Sequence, residues 1–219
     1  MDELKLVKPQ PFYMQIQQTI KEMIWKGILM PGDRLYEAQL AKQFETSRSP
    51  VREAFRALIN EGLLVIDEKS QITVYKPSLG DVRDIYECRL ALESRAVSIA
   101  AQCATDLQLE RLSNTLKETC KAIERKEKEK IVQYNVCFHE QIINICGNLR
   151  LKKLIDDLHS LTYFYRVLNV KESGRAALIL KEHTEIFNAI KNRNPEKACK
   201  KLIKHTKNDL ENLINLIEK

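Results

Sequence analysis

From Ser78 to the end of the chain, apolar residues recur every third or fourth position and no alternating run interrupts them. That period restricts this stretch to helices packed on one another. Helices are expected near 79–103, 106–126, 128–146, 149–168, 174–192 and 196–217, with breaks at Thr105, Gly147 and Asn148, Gly174, and Asn194-Pro195. About six helices of this length enclose a core most economically as a bundle.

The preceding residues have a different grammar. Phe12, Ile16, Ile20, Met23 and Ile24 mark one helix ending at Gly27, and Met30-Pro31-Gly32-Asp33 is a turn signal. YEAQLAKQF gives a second, short helix with Leu40, Ala41 and Phe44 on one side, broken by Glu45-Thr46-Ser47. A third follows, with Ser47 or Ser49 able to cap it and Pro50 suited to its first turn. After Gly62, LLVID and QITVY favour strands, joined by Glu68-Lys69-Ser70. The expected fold is mainly α: residues 1–77 form a winged helix-turn-helix and 78–219 an all-helical domain, a division that suits 219 residues.

The third helix of the first block carries Arg48, Arg52 and Arg56 on one face, opposite Val51, Phe55, Leu58 and Ile59. Taken alone, such a face is ordinarily a solvated one, with Glu53 or Glu61 pairing with the arginines. The order helix, turn, helix, hairpin reverses that preference. It matches a DNA-binding arrangement whose second helix enters the major groove. Arginine suits the position because its planar fork can donate two hydrogen bonds to guanine. Ser47, Ser49 and the backbone N–H groups at the helix start can hold phosphate, and Lys69 at the hairpin tip can reach it too.

The formal charge of +6 decides little, because up to Pro77 about eleven Lys/Arg stand against about ten Asp/Glu. The run ERKEKEK, Glu124 to Lys130, reads as a solvated helix end and loop. The six cysteines form no C-x-x-C pair and read as free thiols of a reducing compartment. MDELKLVKPQ has no apolar leader core and no run approaches membrane-spanning length, so a cytoplasmic protein without membrane attachment is expected.

GILMPGDRLYEAQLAKQFETSRSPVREAFRALINEGLL resembles the winged-helix signature of the GntR family of bacterial transcription regulators. The matching pieces are Gly27, Pro31-Gly32, Leu35, Leu40-Ala41, Ser47-Arg48, Pro50 to Ala54, Leu58 and Glu61-Gly62-Leu63. The resemblance implies DNA contacts from Arg48 and Arg52, with Ser47, Ser49, Arg56 and Lys69 in support. Two departures stand out. The family's wing tip is usually glycine-rich, whereas this one is Asp67-Glu68-Lys69-Ser70, which takes positive φ less cheaply. Gln39 stands where some members carry a further arginine.

In the helical block, polar residues on apolar stripes carry the information. The helix 128–146 has the stripe Ile131, Asn135, Phe138, His139, Ile142, Ile145; the next to last has Ile179, His183, Ile186, Phe187, Ile190; and the last places His205 beside Ala198 and Leu202. One inward histidine is ordinarily a hydrogen-bonded core residue, but three converging imidazoles suit a divalent metal. The fourth, His159, reads as structural or superficial. Arg89 lies on the stripe Ile85, Arg89, Leu92, Ala96, Ile99 and needs a partner, either Glu93 one turn on or an anionic ligand.

RDIYECRLALESRAVSIAA, NVCFHEQIINICGN, EHTEIFNAI and ACKKLIKH resemble the ligand-binding helical domain of the FadR-type (FCD) branch of that family. The resemblance implies a metal site at Asn135, His139, His183 and His205, holding Zn, Ni or Mn, with Asn135 standing where the family has Asp. It further implies a carboxylate effector near Arg89, and a homodimer on a pseudo-palindromic duplex operator. A helical metalloenzyme using the three histidines is the rival reading. It is disfavoured because His139-Glu140 fails to continue as H-E-x-x-H, having Ile143 in the last position, and no nucleophile or phosphate-loop motif occurs. A third reading, a helical interaction protein, predicts no operator and no dependence on Arg52.

Overall fold

The computed structural model describes residues 10–171 and 174–218. Of MDELKLVKPQ, only Gln10 falls within them. The chain divides into two compact units, Met1–Lys76 and Pro77–Lys219.

In the first unit, α1 (Phe12–Trp25) buries Ile16, Ile20 and Ile24, and ends on the chain's single tryptophan, which is half-buried. α2 (Glu37–Gln43) buries Leu40 and Ala41, and α3 (Arg48–Asn60) buries Val51, Ala54, Phe55 and Leu58. Gly62, at φ 76°, turns the chain sharply after α3, a conformation glycine takes without a Cβ penalty. β1 (Leu64–Ile66) and β2 (Ile72–Val74) then pair antiparallel with Leu64 opposite Val74, both facing the core. The turn before α2 locks the hairpin, since Gly32 N–H donates to the Val74 carbonyl and Leu35 N–H to that of Ile72, both at 2.9 Å.

Two details bear on the sequence expectations. Ser70 takes φ 58° at the wing tip without glycine, because the Asp67 carboxylate gathers the backbone N–H groups of Lys69 and Gln71 at 2.9 and 2.8 Å. Glu61 turns to α1. It receives Lys21 and Gln17, each at 2.6 Å, and so ties α1 to the end of α3.

The second unit holds seven helices among the described residues: α4 (Leu79–Cys103), α5 (Asp106–Glu124), α6 (Lys128–Cys146), α7 (Leu149–Asp156), α8 (His159–Lys171), α9 (Arg175–Lys191) and α10 (Pro195–Ile217). Their starts are written in the sequence. Thr105 and Gln108 close a capping box, Ser78, Asn148 and Asn194 cap through their side chains, and Pro195 opens α10. The single helix expected over 149–168 is two helices. The chain tightens at Asp157 and Leu158, where Leu158 N–H reaches only to the Ile155 carbonyl at 3.1 Å. Within ERKEKEK, Lys128 opens α6 as expected, but α5 ends at Glu124, two residues early, and Lys126 turns the chain at φ 58°.

α4 and α10 lie along one another, flanked by α6 and α9. Val97, Ala100, Phe138, Ile142, Ile186, Ile190 and Leu202 belong to an apolar core cluster of this bundle. Burying such side chains supplies roughly 1.5–3 kcal/mol each. No described helix is long and apolar enough to cross a membrane. All six cysteines are free.

Candidate functional site

The first candidate is the outer face of α3. Arg48, Ser49, Arg52 and Arg56 are all exposed on it, with Ser47 preceding the helix and Lys69 exposed at the wing tip. Ser47 sits at the N-cap position, yet its hydroxyl makes no capping bond, so it stays available to an incoming group. Gln39 is exposed on α2. Arg52 is held by Glu37 of α2. Its Nε donates to both carboxylate oxygens at 3.1 Å and its Nη2 to Oε2 at 2.9 Å. This hydrogen bond raises the guanidinium's pKa further. Neither Glu53 nor Glu61 plays that part; the partner comes from the helix across the turn, which spacing along α3 alone cannot reveal.

The second candidate lies inside the helical unit. His139 on α6, His183 on α9 and His205 on α10 are all fully buried. Nε2 of His205 stands 3.3 Å from Nε2 of His139 and 3.3 Å from Nε2 of His183. All three donor atoms lie within 4.8 Å of one another. Two nitrogens on one tetrahedral zinc at about 2.1 Å are about 3.4 Å apart, so this spacing fits a shared ion. His183 is also stacked on Phe138 at 4.2 Å between centroids, which fixes its ring.

Asn135, one turn before His139, is 1% exposed, and neither atom of its amide has a hydrogen-bond partner. An orphaned buried amide costs about 1–3 kcal/mol, so its presence calls for a ligand. Three imidazole nitrogens with one amide oxygen form a donor set suited to a divalent transition metal. The residues therefore fit one.

Around the histidines runs a ring of charge. Glu93 Oε2 meets Nδ1 of His139 at 2.9 Å, and its Oε1 accepts from Arg89 Nε at 2.8 Å with Arg166 at 3.9 Å. Glu182 Oε2 meets Nδ1 of His205 at 2.7 Å; its two oxygens also take both Nη groups of Arg175, at 3.1 and 3.0 Å. Asp209 accepts from Arg175 at 2.6 Å, and its other oxygen lies 3.6 Å from Nε2 of His205. Arg89 sits 4.6 Å over the Tyr86 ring, and Asn169 donates to the Tyr86 hydroxyl at 3.3 Å.

These contacts set the protonation states. Burial, with Arg166 nearby, holds His139 down at about 3, and burial with its two neighbouring histidines pushes His183 well down. Against burial, Arg89 and His139 keep Glu93 well below the usual carboxylate range, while His205 and Arg175 hold Glu182 at about 2. Burial and the Arg89 charge lower Arg166 to about 10. His139 and His183 are thus held neutral, and Glu93 and Glu182 ionised.

Sequence reasoning brought Asn135, His139, His183, His205 and Arg89 to this region. It treated Glu93 only as a bland partner and missed Arg166, Arg175, Glu182 and Asp209. Asp209 was findable, since it lies one turn beyond His205 on the buried face of α10. Arg166 was findable by the test that picked out Arg89, an arginine among buried Thr162, Tyr165 and Val170. His159 is half-buried and bonded to Glu140 at 3.1 Å, outside the triad.

Comparison with known proteins covers both units. Residues 12–74 match the model of the bacterial regulatory proteins of the gntR family, and residues 84–208 match that of the FCD domain. The Bacillus subtilis protein named uncharacterized HTH-type transcriptional regulator YdhC is 39% identical over the whole chain and 98% of its own length. The Escherichia coli HTH-type transcriptional repressor RspR is 28% identical over 93% of this chain and 89% of its own. The solved structure of E. coli McbR/YncC shares the fold, with a TM-score of 0.79 over 94% of this chain and 99% of its own at 23% identity. A helix-turn-helix presenting arginines and a helical unit matching a ligand-binding domain have one meaning together: the chain belongs to the GntR family, in the branch with an FCD domain, and is a DNA-binding transcription regulator, not an enzyme.

Proposed function

We propose that this regulator is a cytoplasmic homodimer that binds a pseudo-palindromic operator and releases or tightens its grip when an organic acid occupies a metal-loaded site in the helical unit. Arg48 and Arg52 read the operator, while Ser47, Ser49, Arg56 and Lys69 hold its backbone. Glu37 takes the side-on edge of Arg52, formed by Nε and Nη2. The end-on edge, formed by Nη1 and the second hydrogen of Nη2, is left for a base. Asn135, His139, His183 and His205 hold a divalent ion such as Zn, Ni or Mn. That ion supplies a Lewis-acidic centre for the effector's carboxylate.

One observation carries the metal reading. Ionised carboxylates only accept hydrogen bonds, so Glu93 and Glu182 require the proton of His139 and of His205 to sit on Nδ1. Their Nε2 lone pairs then face one another at 3.3 Å, an arrangement that repels unless a cation lies between. Arg89 supports the carboxylate reading, because both its Nη groups are buried without a partner, as is Nε of Arg166. Two guanidiniums sharing Glu93 leave room for one more anion.

Elemental analysis of untagged protein prepared without chelators tests the metal, with His183→Ala alongside. About one ion per chain in the wild type and none in the variant is expected; no ion in either, even after reloading, removes the metal reading and leaves Arg89 and Arg166 as the effector site. For DNA, Arg52→Ala should abolish specific operator binding in a protein of unchanged circular dichroism, and retained affinity would refute the reading role.

A further inference from the structure

We infer that Glu93 and Glu182 are the residues that make the metal site work without a carboxylate ligand: each is a positioning residue that acts on the ion through the Nδ1–H of one histidine. The inference rests on the metal reading above. Three neutral imidazoles and the neutral Asn135 amide offer a divalent ion no negative charge, in an interior where an unneutralised cation is costly to bury. The charge has to come from one layer out.

The geometry provides it twice and in the same form. Glu93 lies 2.9 Å from Nδ1 of His139, and Glu182 lies 2.7 Å from Nδ1 of His205. The two carboxylates come from different helices, α4 and α9, and reach histidines of two others, α6 and α10. Each is clamped by arginine, Glu93 by Arg89 at 2.8 Å and Glu182 by both Nη groups of Arg175. Asn208 adds a further bond to Glu182 at 2.7 Å. So held, each carboxylate fixes its ring's tautomer and orientation, aims the Nε2 lone pair at the common centre and makes that nitrogen a more basic donor. Asp209 is the competing source of charge. Its nearer oxygen is 3.6 Å from Nε2 of His205 while Arg175 holds the other, so it is placed to neutralise Arg175 and not to polarise a ring.

The test is cobalt and zinc affinity by chelator competition on the full-length chain, comparing wild type with Glu182→Gln, Asp209→Asn and Asn135→Asp/Glu182→Gln. Glutamine keeps the shape of Glu182 and loses its charge. The half-buried setting of Glu182 makes this variant gentler than one at fully buried Glu93. Loss of roughly 10–100-fold in affinity is expected for Glu182→Gln. The added Asn135→Asp should recover most of it by restoring charge in direct contact with the ion, a rescue that a merely loosened fold would not allow. A second readout needs no variant. Long-range proton–nitrogen spectra of the wild type should show His139 and His205 protonated at Nδ1 both before and after zinc is added.

Unchanged affinity in Glu182→Gln, or a larger loss in Asp209→Asn, overturns the inference while leaving the metal site standing. An Nε2–H tautomer at either ring overturns it as well. Wild type that takes up neither ion defeats the metal reading itself and the inference with it.

Discussion

Burial has already decided the charge of His139 and His183 before any ligand arrives, and this gives the metal-free protein a pH signature. His139 is held at about 3, and His183 well below its ordinary value of 6.5. Their folded pKa values lie below those of the unfolded chain, so the unfolded state binds protons first as pH falls. Their full contribution is present above about 6.5 and is lost progressively towards 3, at up to about 1.4 kcal/mol per pH unit for each ring. Urea unfolding in EDTA at pH 7.5 and 5.5 should therefore differ by about 2–3 kcal/mol from these two rings. Equal midpoints would mean that the rings are not buried and neutral. Metal should oppose the loss in the upper part of this range, because bound imidazole cannot take a proton until the ion leaves.

Elements separate what shapes a site from what touches a ligand. Phe55 and Arg52 share α3, but Phe55 is 1% exposed in the core while Arg52 points outward. Phe55→Ala should cost about 3–5 kcal/mol and lower the melting temperature of the winged-helix unit, whereas Arg52→Ala should leave it within about 0.5 kcal/mol. Differential scanning of both variants decides this, and equal destabilisation would contradict the packing described for α3. At the end of the same helix, Gly62→Ala should cost about 1 kcal/mol through its positive φ, read in the same scans.

Most elements were legible in advance because their caps and breakers are local: Thr105, Gly147 and Asn194-Pro195 act on their own neighbours. The break within 149–168 was not. It involves only Asp157 and Leu158 and carries neither Gly nor Pro. The histidine stripe could be read from periodicity. The meeting of three Nε2 atoms depends on how α6, α9 and α10 pack, and so does the reach of Glu182 from α9 to His205 of α10.

At the scale of the whole regulator, the proposed reading couples operator binding to assembly. A homodimer on a two-fold site should sediment at twice the 25.5 kDa of the chain, and a monomer at micromolar concentration would argue against that assembly. Phosphate contacts make operator affinity fall steeply with salt. On the proposed reading, in which Arg56 of each protomer in a dimer holds one phosphate, Arg56→Ala should flatten the log–log slope by about two. An unchanged slope in a filter-binding titration would take Arg56 out of the interface.

The single tryptophan offers a practical separation of the two units. Trp25 closes α1, so intrinsic tryptophan emission originates entirely in the winged helix, while seven of the ten described helices, and with them most of the far-ultraviolet ellipticity, belong to the other unit. The native chain therefore carries two optical reporters on two cooperative units without any label. If the units melt independently, the two signals trace separate transitions, and an effector or ion that binds the helical unit shifts the ellipticity curve directly. Any accompanying shift of the emission curve then measures, in degrees, how much of that binding energy reaches the part that holds DNA.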